Sequence, residues 1–307
     1  MKASSIATPL LRCQTGLLGD DWEGVRFLTT RSSATLPVLG QGTWEMGVEW
    51  SARASEVAAL QLGFDLGLAL VDTAEMYADG GAEEVVGEAI QGRRDQVFVV
   101  TKVLPENASR RGTLAAAERS LQRLRTDRID LYLLHWDGPH PLEETLEAFE
   151  HLRLQGKILH YGVSNFDVRW MQQVVRTRHG ERVSANQVFY NLARRGIERR
   201  LAPWCLQHGV ALMAYSPLEQ GRLFGQASRA ARRGLERVAR RHGVTIPQVA
   251  LAWTIRNPGI MAVVKAAAAA HVRENAAVLE LHLTAEDLEE LEAVFPVPRH
   301  DIPLETL

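Results

Sequence analysis

Cysteine is nearly absent: Cys13 and Cys205 are the only two in 307 residues. Two thiols build neither a disulfide framework nor a four-thiolate metal site, so a reducing compartment is expected. Long apolar runs are missing as well, and nothing approaches the roughly 18 consecutive residues that mark a membrane span. The opening Met1-Lys2-Ala3-Ser4-Ser5 leads into a mixed stretch with Arg12 and Cys13 rather than a signal-peptide core. A cytoplasmic chain with no membrane partner is therefore expected. Neither sign of charge dominates, since 35 Lys plus Arg oppose 37 Asp plus Glu. That balance argues against nucleic acid as a partner and leaves room for one local anion site. No His-Glu-x-x-His, paired Cys-x-x-Cys or phosphate-loop motif occurs, so neither a metal nor a phosphoryl-transfer site is expected.

What is present is an ordinary globular composition, 46% hydrophobic and 23% charged, enough for a large core. Short β-like runs alternate with amphipathic helical stretches. The strand candidates are Leu36–Leu39, Ala69–Asp72, Val97–Val103, Ile129–His135, Tyr161–Ser164, Gln187–Tyr190, Ala211–Tyr215 and Ile260–Lys265. Most are continuously apolar, which suits parallel strands buried on both faces. Between them lie helical patterns such as Leu114, Ala117, Leu121, Leu124 and Leu142, Leu146, Phe149, Leu152. Pro141 and Gly156 stand where the second of these would start and stop. The span from Leu36 to Leu283 divides into eight units of about 31 residues, the size of a strand plus its crossover helix.

An α/β fold follows: a (β/α)₈ TIM barrel with an N-terminal β-hairpin and an added C-terminal helix. The hairpin is expected from Val25–Thr30 and the turn at Arg31-Ser32-Ser33-Ala34. The added helix is expected over residues 284–295, with Thr284 as N-cap. Residues 1–24 read as an extension and 25–307 as one barrel domain. An open doubly wound sheet would carry Gly-x-Gly-x-x-Gly after its first strand. Here that strand leads into Gly40-Gln41-Gly42-Thr43-Trp44.

Active sites of such barrels are built at the C-terminal ends of the strands. Three consecutive strands end in Asp72, Lys102 and His135, and Tyr77 follows in the loop after the first of them. Neighbouring strands bring these residues together. A buried Lys needs a counter-charge, and Asp72 is the obvious one. The Lys102 ammonium is expected to favour the Tyr77 phenolate and lower the phenol pKa. A neutral His135 would orient a carbonyl oxygen. Together they form a proton donor aimed at an oxygen becoming an alkoxide, as carbonyl reduction by hydride requires. Any one of these residues alone would read as structural.

The motifs Gly-Gln-Gly-Thr-Trp (40–44), Val-Asp-Thr-Ala-Glu-Met-Tyr (71–77), Thr-Lys-Val (101–103), Asp-Leu-Tyr-Leu-Leu-His-Trp (130–136), Gly-Val-Ser-Asn-Phe (162–166), Asn-Gln-Val-Phe-Tyr-Asn (186–191) and Ala-Tyr-Ser-Pro-Leu (214–218) occur in this order. Through them the chain, from about Val25 to Phe295, resembles the aldo-keto reductases, most of all bacterial members acting on methylglyoxal or diketo-acids. The resemblance implies Tyr77 as general acid, Lys102 as its pKa partner, Asp72 as holder of Lys102 and His135 as carbonyl-orienting donor. It implies NADPH as cofactor, with NADH as an alternative, and small carbonyl substrates. Ser164, Asn165 and Gln187 would bind the nicotinamide carboxamide, and Tyr215 would stack on its ring. Ser216 and Leu218 would serve the pyrophosphate, with Gly42 and Thr43 also on the cofactor. Lys265, Glu274 and Asn275 would serve the adenosine end.

At that end the family's hydroxyls are replaced by alanines, and His271 stands where an Arg is usual. Trp44, Trp136 and the neighbourhood of Tyr132 would wall the substrate pocket with Tyr77 and His135. The helix stripe Arg229, Arg233, Arg237, Arg241 reads as a solvated face. A monomer or weak oligomer is expected. Two other functions fit the residues less well: a lyase forming a Schiff base on Lys102, and a cofactor-binding structural or regulatory protein with little catalysis.

Overall fold

The computed structural model describes residues 12–15 and 26–307. Three short strands come first, β1 (Arg12–Thr15), β2 (Arg26–Thr29) and β3 (Thr35–Pro37), and pair antiparallel in that order. Eight parallel strands then close into a barrel: β4 (Leu39–Gly42), β5 (Leu70–Asp72), β6 (Phe98–Val103), β7 (Ile129–Leu134), β8 (Ile158–Ser164), β9 (Ala185–Phe189), β10 (Ala211–Tyr215) and β11 (Ile260–Val264). Closure is made by β11 against β4.

The helices between strands are α1 (Arg53–Asp65), α2 (Gly81–Ala89), α3 (Arg110–Leu124), α4 (Leu142–Leu154), α5 (Val168–Arg176) and α6 (Leu201–His208). Then come α7 (Leu223–Gln226), α8 (Arg229–His242) and α9 (Ile246–Thr254) before β11, and α10 (Ala269–Ala276) and α11 (Ala285–Val294) after it. No helix among the described residues is long and apolar enough to cross a membrane.

The apolar strand runs are explained by two cores. Leu70, Val100, Leu131, Leu133, Ala211, Met213, Met261 and Val263 fill the barrel interior, and Leu28, Ala34 and Leu36 of the hairpin join them. The hairpin turn is pinned to the N-terminal ends of the strands, because Arg31 N donates to Gly209 O at 2.8 Å and Ser32 meets Ser184 at 2.7 Å. It plugs the end of the barrel opposite the site. Alternate strand residues such as Val71, Val99 and Tyr132 point outward and pack with helical residues including Leu121, Leu124 and Phe149. Both faces of the barrel strands are therefore largely dry, with Leu159 near the start of β8 exposed.

The expected first strand, Leu36–Leu39, straddles two elements. Leu36 and Pro37 pair antiparallel with Leu28 and Phe27, and the barrel strand begins only at Leu39. The other expected strands are present, Ala211–Tyr215 with the expected bounds and the rest with one or both ends moved by up to three residues. Arg12–Thr15, inside the stretch read as an extension, pairs with β2, while the rest of residues 1–24 lies outside the described residues. Helix α4 starts after Pro141 and stops before Gly156, whose φ is 73°.

Helix α11 has the expected Thr284 cap, closed as a capping box with Asp287. The arginine stripe is exposed as expected, and Arg229 and Arg233 have no ion pair among the described residues, but its other two members meet acids. Arg237 and Arg241 pair with Glu290, Arg241 also pairs with Asp287, and His242 Nε2 lies 2.6 Å from Asp287 Oδ2. The acids of α11 supply what a reading of α8 alone could not show.

Candidate active site

Asp72 ends β5 with its side chain turned inward, and Lys102 stands near the end of neighbouring β6. Lys102 Nζ donates to Asp72 Oδ2 at 2.9 Å, to Thr73 O at 2.8 Å and to Tyr77 Oη at 3.3 Å. Burial opposes the fully buried ammonium, but Asp72 and Tyr77 outweigh it, and the Lys102 pKa is raised. The same ammonium lies 4.9 Å from the centre of the Tyr77 ring.

Tyr77 sits where the chain turns sharply. Ala78 and Asp79 both have φ of 51°, and Gly80 has φ of 92°. A second close approach fixes this loop from the other side: a Cβ on Gly47 would lie 2.4 Å from the Gly81 carbonyl carbon. Only glycine allows the Trp44-bearing loop to lie this near. The phenol pKa is raised rather than lowered. Burial disfavours the phenolate most, Lys102 opposes this, and the Asp72 charge adds to the rise. The sequence expectation weighed the cation alone and omitted both desolvation and the acid behind it.

His135 follows β7. Burial first, and the Lys102 charge second, push its pKa down to about 2. Its imidazole is neutral, and its Nδ1 is buried without a hydrogen-bond partner among the described residues. Aromatic rings enclose the group: Trp44 meets Tyr77 edge-on at 5.0 Å, Tyr77 meets His135 at 5.8 Å, and His135 meets Trp136 at 4.7 Å. Tyr132 is not among them. It is fully buried on the outer face of β7 against Phe149 at 5.3 Å, because alternate residues of a strand face opposite ways.

A polar chain continues around the rim. Gln187 Nε2 donates to Asp72 Oδ1 at 2.8 Å, which occupies the carboxylate oxygen closest to it while Lys102 holds the other. Ser164 Oγ donates to Gln187 O at 3.0 Å. Asn165, at φ 62°, donates to His135 O at 3.2 Å and accepts from Tyr215 Oη at 3.0 Å. Tyr215 stacks on Phe189 with centres 5.6 Å apart and planes 11° from parallel. Thr43 is fully buried and spends its hydroxyl on Asp72 O at 3.0 Å, fastening β4 to β5.

The adenosine-end candidates Lys265, Glu274 and Asn275 follow β11, beside which Gly42 ends β4 in register with Asp72. Gly42 faces the Val264–Lys265 backbone. Lys265 and His271 are exposed, and Lys265 has no ion pair among the described residues. Glu274 accepts from Thr245 Oγ1, and Asn275 is buried. Helix α10 begins at Ala269 with no side-chain cap, so its first N–H groups are left for another acceptor.

Glu75 was overlooked by the sequence reading. Its buried Oε1 accepts from Leu104 N at 2.7 Å and from Asn107 Nδ2 at 2.9 Å, and its Oε2 lies 3.4 Å from Arg119. It staples the Tyr77 loop to the segment following Lys102. A carboxylate between two apolar motif residues was the available signal.

Comparison with known proteins agrees with this geometry. The model of the Aldo/keto reductase family matches residues 38–295. Methylglyoxal reductase YeaE of Escherichia coli is 51% identical over 266 residues, 86% of this chain and 93% of that protein. The NADH-specific methylglyoxal reductase of the same species is 29% identical, over 82% of this chain and 93% of its own. An aldo/keto reductase from Klebsiella pneumoniae, solved in complex with NADP and acetate, superposes with a TM-score of 0.86 at 47% identity, covering 91% of this chain and 98% of that one. The matched region contains the barrel and its strand-end residues, and the chain belongs to the aldo/keto reductase family of oxidoreductases.

Proposed function

We propose that the chain reduces small reactive carbonyls of the methylglyoxal kind to alcohols, with NADPH as the preferred dinucleotide and NADH as an alternative. The observation that carries this reading is the contact of Lys102 Nζ with both Asp72 and Tyr77, beside a neutral His135. A reduced nicotinamide supplies hydride to the carbonyl carbon when bound. The chain must then orient the carbonyl, donate a proton and exclude water.

His135, neutral across the working pH range, is a hydrogen-bond donor to the carbonyl oxygen through one ring nitrogen. Tyr77 keeps its proton because burial raises its pKa. It releases that proton as negative charge develops on the oxygen, a change that Lys102 stabilises through its contact with the phenol. Asp72 keeps Lys102 charged, and Gln187 holds the second Asp72 oxygen. Trp44 and Trp136 form an apolar mouth that favours a small unhydrated carbonyl.

A dinucleotide fits the remaining residues. Asn165 and Gln187 carry amides at the rim, half-buried Tyr215 offers a ring, and uncapped α10 with Lys265, which has no ion pair among the described residues, offers donors to an anion. Ser164 and Asn165 would hold the carboxamide, Ser216 and Leu218 the pyrophosphate, and Lys265 the 2′-phosphate.

A Schiff-base role for Lys102 is disfavoured, since an ammonium with a raised pKa and a buried counter-ion is a poor nucleophile. The test is oxidation of NADPH and of NADH against methylglyoxal, glyoxal and larger aldehydes. Saturable turnover of the small carbonyls, faster with NADPH, is expected. Tight dinucleotide binding with no turnover on any carbonyl would leave the non-catalytic reading instead.

A further inference from the structure

Arg194 lies in the loop after β9 and joins three regions. Its Nε and Nη2 donate to Glu219 Oε1 at 3.1 and 2.6 Å, and its Nη1 donates to Glu305 Oε1 at 2.9 Å. The guanidinium also stands 5.7 Å from the centre of the Phe189 ring, which backs Tyr215. One cation therefore touches the segment after β10, the C-terminal tail and the stack beneath Tyr215.

Glu219 is the anomaly. It directly follows Leu218 and lies three residues beyond Ser216, the pair proposed above for a pyrophosphate, yet it is only 4% exposed. An uncompensated carboxylate at that place would repel the phosphates and would itself be costly to bury. The segment is also tightly wound: Ser216, Glu219 and Gln220 have φ of 50°, 51° and 55°. Residues with a Cβ rarely adopt this conformation without outside support. The support comes from the loop after β9. Asn191 Nδ2 donates to Ser216 O at 3.1 Å, and Asn191 Oδ1 accepts from Arg194 N at 3.1 Å.

We propose that Arg194 is a positioning residue for dinucleotide binding. It cancels the Glu219 charge and holds residues 216–221 in the shape that receives a pyrophosphate. The inference rests on the dinucleotide reading of the proposed function. Because the pyrophosphate is common to both dinucleotides, Arg194 acts on NADPH and NADH alike, whereas Lys265 acts on one.

The test is a titration of intrinsic fluorescence with NADPH and with NADH at fixed ionic strength. Arg194→Gln is expected to raise both Kd values by the same factor, on the order of tenfold. The double variant Arg194→Gln/Glu219→Gln is expected to recover both to within about threefold of wild type, because the repelling charge is gone. Arg194→Lys, which keeps the charge and loses the fork, should stay nearer to wild type than Arg194→Gln, and it serves if Arg194→Gln does not fold. Wild-type affinity in Arg194→Gln, or no recovery in the double variant, overturns the inference and leaves Arg194 as loop packing. If wild type binds neither dinucleotide, the dinucleotide reading itself falls.

Discussion

The two ends of the proposed binding groove are built on opposite principles. At the catalytic end, Asp72, Lys102 and His135 are buried at strand ends, and the two charged groups, Asp72 and Lys102, are paired with each other. At the adenosine end, Lys265 and His271 are exposed on a loop and a helix turn, and Lys265 has no ion pair among the described residues. The charge pairing of the first end is complete before any ligand arrives, since burying unpaired charges would destabilise the fold. The second pays no such penalty in water and can change cheaply. In the proposed groove, changes in the chemistry are therefore expected to be costly where the groups are buried, and changes in cofactor preference to be cheap where they are not.

The sharpest way to break this contrast is Tyr77→Phe, which removes one hydroxyl from the buried end. Loss of a positioned general acid should lower kcat about 10²- to 10⁴-fold, with the Kd for NADPH unchanged in a fluorescence titration. A variant retaining half the wild-type kcat would remove Tyr77 from that role. Lys102→Met tests the buried pair. It leaves Asp72 with Gln187 but no cation, and should cost about 3–5 kcal/mol in chemical denaturation. A loss below about 1 kcal/mol, the range of exposed pairs, would mean that the charges are less buried than described.

His135 gives a pH signature of the same end. Its folded pKa of about 2 lies below the usual 6.5. As pH falls through 6.5 the unfolded chain takes up a proton that the folded one refuses. Its contribution to stability is thus full above pH 6.5 and declines below it, by up to about 1.4 kcal/mol per pH unit. Between pH 6.5 and 5, wild type should lose about 1.6 kcal/mol more than His135→Asn. Parallel losses in the two proteins would show that the imidazole is solvated.

The smallest effect belongs to the exposed end. Lys265→Ala should weaken NADPH by about tenfold and leave NADH nearly unchanged, because a single exposed contact to a phosphate is screened by salt. Equal weakening of both would place the 2′-phosphate elsewhere. His271→Arg should tighten NADPH by offering a planar fork.

The same burial contrast governs what the sequence discloses. Strand-end polar residues interrupting apolar runs stand out, so Asp72, Lys102 and His135 were legible, as was the barrel from its strand count and spacing. Partners distant in sequence were not. Gln187 meets Asp72 across 115 residues, and Arg237 and Arg241 on α8 find their acids on α11. The Tyr77 pKa was misjudged for a related reason, since desolvation depends on everything packed around the ring. Tyr132 failed on parity, being adjacent in sequence to residues that face the other way. Strand β4 began late because Leu36 and Pro37 were claimed by the hairpin. Glu75 and Arg194 act by hydrogen bonds to neighbouring loops, which leave no periodic trace.

Closure of β4 on β11 has a consequence for synthesis on the ribosome. One side of β4 finds β5 within some 30 residues, but its other side waits for Ile260–Val264. At roughly 5–20 residues per second that interval lasts about 10 to 45 s. Throughout it the nascent chain carries an unsatisfied strand edge and a hairpin plug with no completed barrel to fill. Such edges invite pairing with other chains, so production of this protein should depend on chaperone supply more than its folded stability suggests. Protease sensitivity of chains arrested with β11 still in the exit tunnel, against chains arrested with it clear, reads this directly.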